Sequence, residues 1–275
     1  MTETNSQFYR ELQKDAERFA QEAMKILVSL QGKETVAIQK DELDLSTSAD
    51  ITAEKYIIDA IRKKYPKHGI DSEEAGEFSG TEPYRWVIDP LDETKEYVRG
   101  LKEFNCLIGV EEDTHIVAGA SNCYGTNELY SASKGNGATC NTVQLHVSSQ
   151  KNLVNAFIGY SLPNRKLEEL EIRHGLSLLN HFIHHVYRVR GFWDHAKSLG
   201  WLARGALDGI ILLPQTYKWP DIASSVILVK EAGGTITDWH GNEVTEKTNQ
   251  NGVVASNGIL HGELLKIVNQ TKEEV

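Results

Sequence analysis

The sequence predicts a layered α/β fold, of the α+β kind, built in two halves, residues 1–150 and 151–275. The first half has two amphipathic helices followed by closely spaced strands that form an antiparallel meander. The second half alternates strands with helices. Because a helix with one apolar stripe and a sheet with one apolar face must bury them against each other, such a chain stacks helices and sheets in layers.

The first half opens with two predicted helices. Apolar side chains recur at helical spacing over residues 6–30, at Phe8, Leu12, Ala16, Phe19, Ala23, Leu27 and Leu30. Gly32 is expected to end this helix. A short strand at 36–40 and an acidic, hydroxyl-rich loop at 41–50 follow, and Pro66 closes a second helix at about 51–65.

The central strand of the first half is predicted at 84–89, before a hard turn. Aromatic and β-branched residues fill this stretch, and Pro90, which lacks an N–H, is expected to end it. Asp92, Glu93 and Thr94 then supply capping and first-turn residues for a short helix. The other predicted elements are a strand at 70–74, a loop at 76–83, strands at 104–111, 115–123 and 127–132, and a hairpin turn at 133–137.

The second half reads as alternating elements along the chain. Strands are predicted at 153–160, 186–189, 208–213, 235–239 and 253–256. Helices are predicted at 165–180, at 194–205, from Asp221 to the glycine pair 233–234, and near 258–269.

Composition and charge exclude several classes of function. A net charge of −10 argues against binding to a nucleic-acid backbone or an anionic membrane surface. No apolar run approaches the roughly 20 residues that span a bilayer. The first residues lack the basic and apolar regions of a signal peptide, which predicts a cytoplasmic protein. Cys106, Cys123 and Cys140 show no C-x-x-C spacing, so reduced thiols are expected rather than disulfides or a zinc site.

Acidic residues recur where the predicted elements meet. They are Asp50 at a helix start, Glu73 and Glu74 after a strand, Asp89 and Asp92 at the central turn, and Asp221 at another helix start. Taken singly, each is typical of a helix cap, worth about 1 kcal/mol. Two like charges about 4 Å apart repel by roughly 4 kcal/mol at an effective dielectric of about 20, so acids gathered at an apolar strand end need a divalent cation. Oxygen ligands favour magnesium or calcium over zinc.

Four ordered motifs resemble those of the inositol monophosphatase superfamily, which includes bisphosphate nucleotidases and histidinol-phosphate phosphatases. They are Ser46-Thr47-Ser48-Ala49-Asp50, Ser72-Glu73-Glu74, Asp89-Pro90-Leu91-Asp92-Glu93-Thr94 and Trp219-Pro220-Asp221-Ile222-Ala223-Ser224. The resemblance extends from Lys40 to Asn257 and implies an αβαβα sandwich. It also implies hydrolysis of a small phosphate monoester with two or three Mg²⁺ ions. The substrate classes left open are a 3'(2')-phosphonucleotide, such as adenosine 3',5'-bisphosphate, and an inositol, histidinol or sugar phosphate.

The resemblance further implies roles for individual residues. Five are similar to metal ligands, most of them in the first half: Glu73, Asp89, the carbonyl of Leu91, Asp92 and Asp221. Asp50 and Thr94 resemble the pair that activates a water molecule, and Glu73 is counted with them among the catalytic residues. Glu74 is expected either to support the metal ligands without touching a metal, or to bind a more weakly held metal ion. Residues expected to contact substrate are Asp92, Glu93 and Thr94, including the N–H groups of 93 and 94, together with Asp194, Tyr217 and Lys218. For the last three, an exposed surface position is the alternative.

Three departures separate the chain from the family pattern. Glu93 stands where the family usually carries a small residue, most often glycine. Three alternatives are open: the Glu93 side chain points outward, it reaches a metal, or it weakens the site. The stretch from Trp219 to Ser224 replaces the usual Trp-Asp-x-Ala-Ala-Gly. Pro214 stands seven residues before Asp221, where inositol monophosphatases and histidinol-phosphate phosphatases carry a substrate-binding Glu, and this counts against myo-inositol phosphate.

A second interpretation is a non-catalytic member of the family that binds a phosphorylated ligand or a partner in the same pocket. Glu93 and the altered Asp221 motif favour it, whereas the intact Asp50 and Thr94 oppose it, because a binding protein does not need a water-activating pair. The expected partner is a small phosphorylated substrate, with no nucleic-acid polymer and no membrane. A homodimer is left open.

Overall fold

The structure, a computed structural model, describes residues 3–33, 36–39, 45–192 and 194–273. Residues 41–44 of the predicted acidic loop and Trp193 lie outside the described residues. Seven α-helices occur in the described part of the chain: α1 (Glu3–Leu30), α2 (Ser48–Lys64), α3 (Thr94–Val98), α4 (Glu169–His185), α5 (His195–Ala203), α6 (Trp219–Glu231) and α7 (His261–Glu273).

The strands of the described residues form two large sheets and one two-stranded ribbon. The ribbon pairs β1 (Val36–Gln39) with β2 (Leu45–Thr47). The first sheet contains β3 (Gly69–Ser72), β4 (Gly76–Phe78), β5 (Tyr84–Asp92), β6 (Asn105–Glu112), β7 (His115–Cys123), β8 (Glu128–Ser133), β9 (Ala138–Cys140) and β10 (Val143–Gln144), in the order β10-β9-β8-β7-β6-β5-β3-β4. The second contains β11 (Phe157–Tyr160), β12 (Arg188–Gly191), β13 (Gly209–Leu212), β14 (Thr235–Asp238) and β15 (Val253–Ser256), in the order β12-β11-β13-β15-β14.

Three apolar cores hold five layers together. α1 and α2 cover one face of the eight-stranded sheet through a core that includes Phe19, Ile57 and Trp86. α5 and α6 fill the space between the two sheets. α4 and α7 cover the outer face of the five-stranded sheet. The order helix, sheet, helix, sheet, helix confirms the predicted αβαβα sandwich.

α6 packs unusually close to the eight-stranded sheet. A Cβ atom built on Gly119 of β7 would lie 2.9 Å from the Cα of Ser224 in α6, so the approach requires glycine there. The hydroxyl groups of Ser121 and Ser224 lie 2.8 Å apart and form a hydrogen bond across the same contact. The first sheet therefore sets the position of a helix that belongs to the second half of the chain.

The turn over 133–137 joins β8 to β9, as predicted. Its glycine N–H groups bind a carboxylate of the protein itself, because Gly135 and Gly137 each donate to a different oxygen of Glu231 at 2.8 Å. The turn therefore anchors the last turn of α6 to the sheet.

Several predicted boundaries are wrong, and each has a local cause. Pro90 does not end the central strand, β5, which continues to Asp92. The pairing of β5 with β3 has already stopped at Ile88, so the missing N–H of Pro90 interrupts no hydrogen bonds to β3. Residues 76–78 are a strand, β4, which pairs with β3, rather than part of a loop. Residues 153–155 form a 3₁₀ turn before β11. α6 begins at Trp219 because proline fits the first turn of a helix, where its missing N–H is not needed.

Two other helix starts differ from prediction. α2 begins at Ser48 instead of residue 51, because Thr47 caps it and Asp50 completes a capping box. α4 begins at Glu169 rather than 165 and extends to His185. Within the described residues, all three cysteines are free thiols, and no helix combines the length and apolar character needed to cross a membrane.

Candidate active site

A bulge at the end of β5 brings two acids to one point. The register between β5 and β6 shifts between Asp89 and Asp92, so the two intervening residues lie outside the regular ladder. One oxygen of Asp89 accepts the N–H of Leu91 at 3.0 Å, and Asn105 of β6 donates to Asp92 at 2.7 Å. These bonds hold both carboxylates at the edge of the sheet.

Asp221 completes a group of three carboxylates from the first turn of α6. One of its oxygens accepts the backbone N–H of Lys218 at 2.7 Å. One oxygen each of Asp89, Asp92 and Asp221 can be chosen so that all three lie within 4.8 Å of one another. A set of oxygen donors this close fits a hard divalent cation such as magnesium.

Burial and mutual repulsion raise the pKa values of two of these acids. Burial raises the pKa of Asp89 well above its ordinary value, and the negative charges of Glu73, Asp92 and Asp221 add to the effect. Burial also raises the pKa of Asp92, with further contributions from Asp194 and Asp221. Without a cation, this group of carboxylates is a costly arrangement.

Asp50 and Thr94 meet through a hydrogen bond between two helix starts. The Thr94 hydroxyl lies 3.2 Å from Oδ1 of Asp50 and 2.9 Å from the carbonyl oxygen of Leu91. The other oxygen of Asp50 accepts from the N–H of Thr47 at 2.9 Å and from its hydroxyl at 2.5 Å. Asp50 is 1% exposed, and this burial raises its pKa to about 6. The structure thus places together the two residues that the family pattern pairs.

Glu73 lies in the turn between β3 and β4. Its N–H donates to the carbonyl of Ile88 at 3.1 Å, which ties the turn to β5. Lys218, at the start of α6, places its ammonium group 2.8 Å from Oε1 of Glu73. The neighbouring Glu74 is half-buried, and its negative charge contributes to the raised pKa of Asp50.

The backbone of Glu93 has a conformation that favours glycine. Its backbone is left-handed, with φ 67° and ψ 46°, a conformation that glycine adopts without steric cost. Its side chain is half-buried. Burial raises its pKa to about 11, together with the charge of Asp92 and a hydrogen bond with Glu96. The three predicted alternatives for Glu93 stay predictions.

The three predicted substrate contacts have different surroundings. Asp194 is 3% exposed and caps α5, where it accepts the N–H of Lys197 at 2.8 Å. Tyr217 is buried, and its hydroxyl donates to the carbonyl of Asn249 at 2.5 Å. The surface alternative is therefore wrong for both. The side chain of Lys218 is 49% exposed and faces Glu73.

Two buried acids that support the site were missed by the sequence analysis. Glu54 of α2 accepts backbone N–H groups from the turn that carries Glu73. Glu111 of β6 accepts the indole N–H of Trp219 at 3.0 Å and pairs with Arg85 at 2.7 Å. The spacing of Glu54, one helical turn after Asp50 and so on the same helix face, was the available signal.

Comparisons with known proteins agree on one family. The model of the inositol monophosphatase family matches residues 3–273. Nus factor SuhB of Pasteurella multocida is 32% identical over 203 residues, 74% of each chain. The fructose-1,6-bisphosphatase/inositol-1-monophosphatase of Aquifex aeolicus is 31% identical over 236 residues, 86% of each chain.

A solved structure shows the same architecture. The crystal structure of the extragenic suppressor protein SuhB from Bartonella henselae superposes with a TM-score of 0.85 at 27% identity, covering 94% of this chain and 99% of that one. The match to the family model covers the described fold from its first helix to its last. The chain belongs to the inositol monophosphatase family.

Proposed function

We propose that the chain is a magnesium-dependent phosphatase that hydrolyses a small phosphate monoester by attack of an activated water molecule. The observation that carries this proposal is the hydrogen bond between Asp50 and Thr94, next to the three clustered carboxylates. A protein that only binds a phosphorylated ligand needs neither a general base nor a group that hands it a proton.

The residues that would hold magnesium come from both halves of the chain. They are Glu73, Asp89, the carbonyl of Leu91, Asp92 and Asp221. When bound, magnesium would supply positive charge that neutralises the phosphate and lowers the pKa of a water molecule. Residues 1–150 would supply four of these ligands and residues 151–275 the fifth, so neither half alone would form the site.

Thr94 and Asp50 would move the proton of the attacking water. The Thr94 oxygen would take a proton from the water while its own hydroxyl proton passes to Oδ1 of Asp50, 3.2 Å away. A pKa of about 6 leaves Asp50 ionised at neutral pH yet basic enough to accept that proton. The same hydroxyl lies 2.9 Å from the carbonyl oxygen of Leu91, so its single proton would turn from that oxygen to Asp50 as the water is deprotonated.

The substrate class proposed is a phosphate monoester of a small polar molecule, either a 3'(2')-phosphonucleotide or an inositol, histidinol or sugar phosphate. Relatives named for inositol monophosphate and fructose 1,6-bisphosphate support the polyol and sugar members. Pro214, in place of a substrate-binding Glu, argues against myo-inositol phosphate. Asp194 and Lys218, from the second half, would contact the rest of the substrate.

A second candidate is a non-catalytic family member that binds a phosphorylated ligand or a partner. Glu93, in place of the small residue of the family pattern, and the altered motif from Trp219 to Ser224 favour it. A relative with the name Nus factor also favours it.

Phosphate release from a panel of monoesters tests the proposal. The panel contains nucleotide, inositol, histidinol and sugar phosphates, each assayed with magnesium and with a chelator. We expect magnesium-dependent release from at least one class, and a loss of at least 100-fold in Thr94→Ala, which removes the proton relay. Release at the buffer rate across the whole panel would contradict the enzyme proposal and favour the binding protein.

A further inference from the structure

Glu54 has a local environment that a helix surface residue would not have. It lies in α2 and is only 4% exposed. A single carboxylate oxygen, Oε1, accepts the N–H groups of Glu74 and Ala75, each at 3.0 Å, and also the hydroxyl of Ser72. Three donors on one charged oxygen make a strong, directional anchor, because hydrogen bonds to an ionised acceptor are about twice as strong as neutral ones.

These three donors flank one residue, Glu73. Ser72 is the last residue of β3, and β4 begins at Gly76, so Glu73 lies in a turn of three residues. Glu54 binds the residue before Glu73 and the two residues after it. The N–H of Glu73 itself donates to β5. The backbone that carries the Glu73 carboxylate is thus fixed on both sides.

α2 connects this turn with the water-activating pair. Asp50 and Glu54 are four residues apart in the same helix, and therefore project from the same face. Asp50 binds Thr94, whereas Glu54 binds the turn of Glu73. One helical turn therefore sets the distance between a proton acceptor and a candidate metal ligand.

We propose that Glu54 is a positioning residue that holds Glu73 in the geometry needed for metal binding. The inference rests on the proposed function, since it takes Glu73 as a ligand. Partners that orient metal ligands typically contribute about 10- to 100-fold in metal affinity or activity. Removing Glu54 is expected to lower magnesium affinity by a factor in this range, while kcat recovers in large part at saturating magnesium.

A purely structural role makes a different prediction. Loss of a buried, hydrogen-bonded acid destabilises a fold whether or not it lies near a site. Asp15 of α1 is a matched control, because it is also buried and accepts hydrogen bonds from Arg18, Lys64 and Tyr65 at 2.5–2.6 Å. Asp15→Asn is expected to lower the thermal midpoint and leave the magnesium affinity unchanged.

The experiment measures magnesium binding to the full chain by isothermal titration calorimetry, together with the magnesium dependence of phosphate release. The variants are Glu54→Ala, Glu54→Gln and Ser72→Ala, with Asp15→Asn as control. We expect the Kd for magnesium to rise at least tenfold in Glu54→Ala and by a smaller factor in Glu54→Gln and Ser72→Ala. Should Glu54→Ala fail to fold, Glu54→Gln and Ser72→Ala decide.

An unchanged Kd in the folded Glu54 and Ser72 variants overturns the inference, and so does an equal rise in Asp15→Asn. A parent protein that neither binds magnesium nor releases phosphate overturns the proposed function instead. The two failures are distinguishable, because the first requires a parent that binds the metal.

Discussion

The backbone of Glu93 offers a test that separates strain from charge. A residue with a side chain costs about 1–2 kcal/mol in the left-handed region that Glu93 occupies at φ 67°. Glycine removes this cost but loses about 0.5–1 kcal/mol through its more flexible unfolded chain. Glu93→Ala removes the carboxyl group and keeps the strained backbone, whereas Glu93→Gly removes both. The glycine variant is therefore expected to be more stable than the alanine variant by about 1 kcal/mol.

Urea unfolding of the metal-free protein measures this difference, which corresponds to about 2–4 °C in the thermal midpoint of a chain of roughly this size. Because a pKa raised to about 11 leaves the Glu93 carboxyl neutral at neutral pH, its loss removes no charge repulsion, and kcat/KM with magnesium is expected to be unchanged in both variants. Equal stability of the two variants would refute the backbone argument. A rise of kcat/KM in both would show instead that the carboxyl of Glu93 is charged and opposes the substrate.

Three further predictions concern buried charge and close packing. Asp89→Asn is expected to abolish magnesium binding in calorimetry and yet stabilise the metal-free fold in urea, because burial and neighbouring acids raise the pKa of Asp89. The raised pKa of Asp50 contributes stability below about pH 4 that is lost as the pH rises through about 6, so the stability of Asp50→Asn relative to the parent should increase over this window by on the order of 3 kcal/mol. A difference in unfolding free energy between Asp50→Asn and the parent that stays constant from pH 4 to 7 would contradict this prediction. Gly119→Ala should cost about 1–3 kcal/mol and weaken magnesium binding by displacing α6, whereas Gly262→Ala, whose new Cβ meets no atom within 4 Å, should do neither.

The layered fold was predictable because its signals are strong and local. The strand at 115–123 appears as β7 with the predicted bounds. The central strand was predicted three residues too short, because the rule that proline ends a strand holds only where both sides of the strand are paired. β5 has lost its β3 neighbour before Pro90, and this depends on where β3 ends, which the sequence of β5 does not encode.

The residues of the candidate site were predictable from the sequence, but the hydrogen bonds and backbone conformations that hold them in place were not. The order of the motifs identified Asp50 and Thr94, and the structure adds the hydrogen bond between them. Glu54 escaped notice because a glutamate inside an amphipathic helix is usually exposed. The left-handed backbone of Glu93 was also missed, since this conformation is uncommon for a residue other than glycine. The assigned metal ligands remain predictions.

The position of α6 between the two sheets has a consequence for how the site comes into being. Glu111 and Ser121 of the eight-stranded sheet hold the first two turns of this helix, while its other side packs toward β14 of the five-stranded sheet. Asp221 therefore reaches the other acids only after α6 has docked on the eight-stranded sheet. During refolding, recovery of magnesium affinity should lag behind the recovery of secondary structure, and would mark the docking of α6 on this sheet.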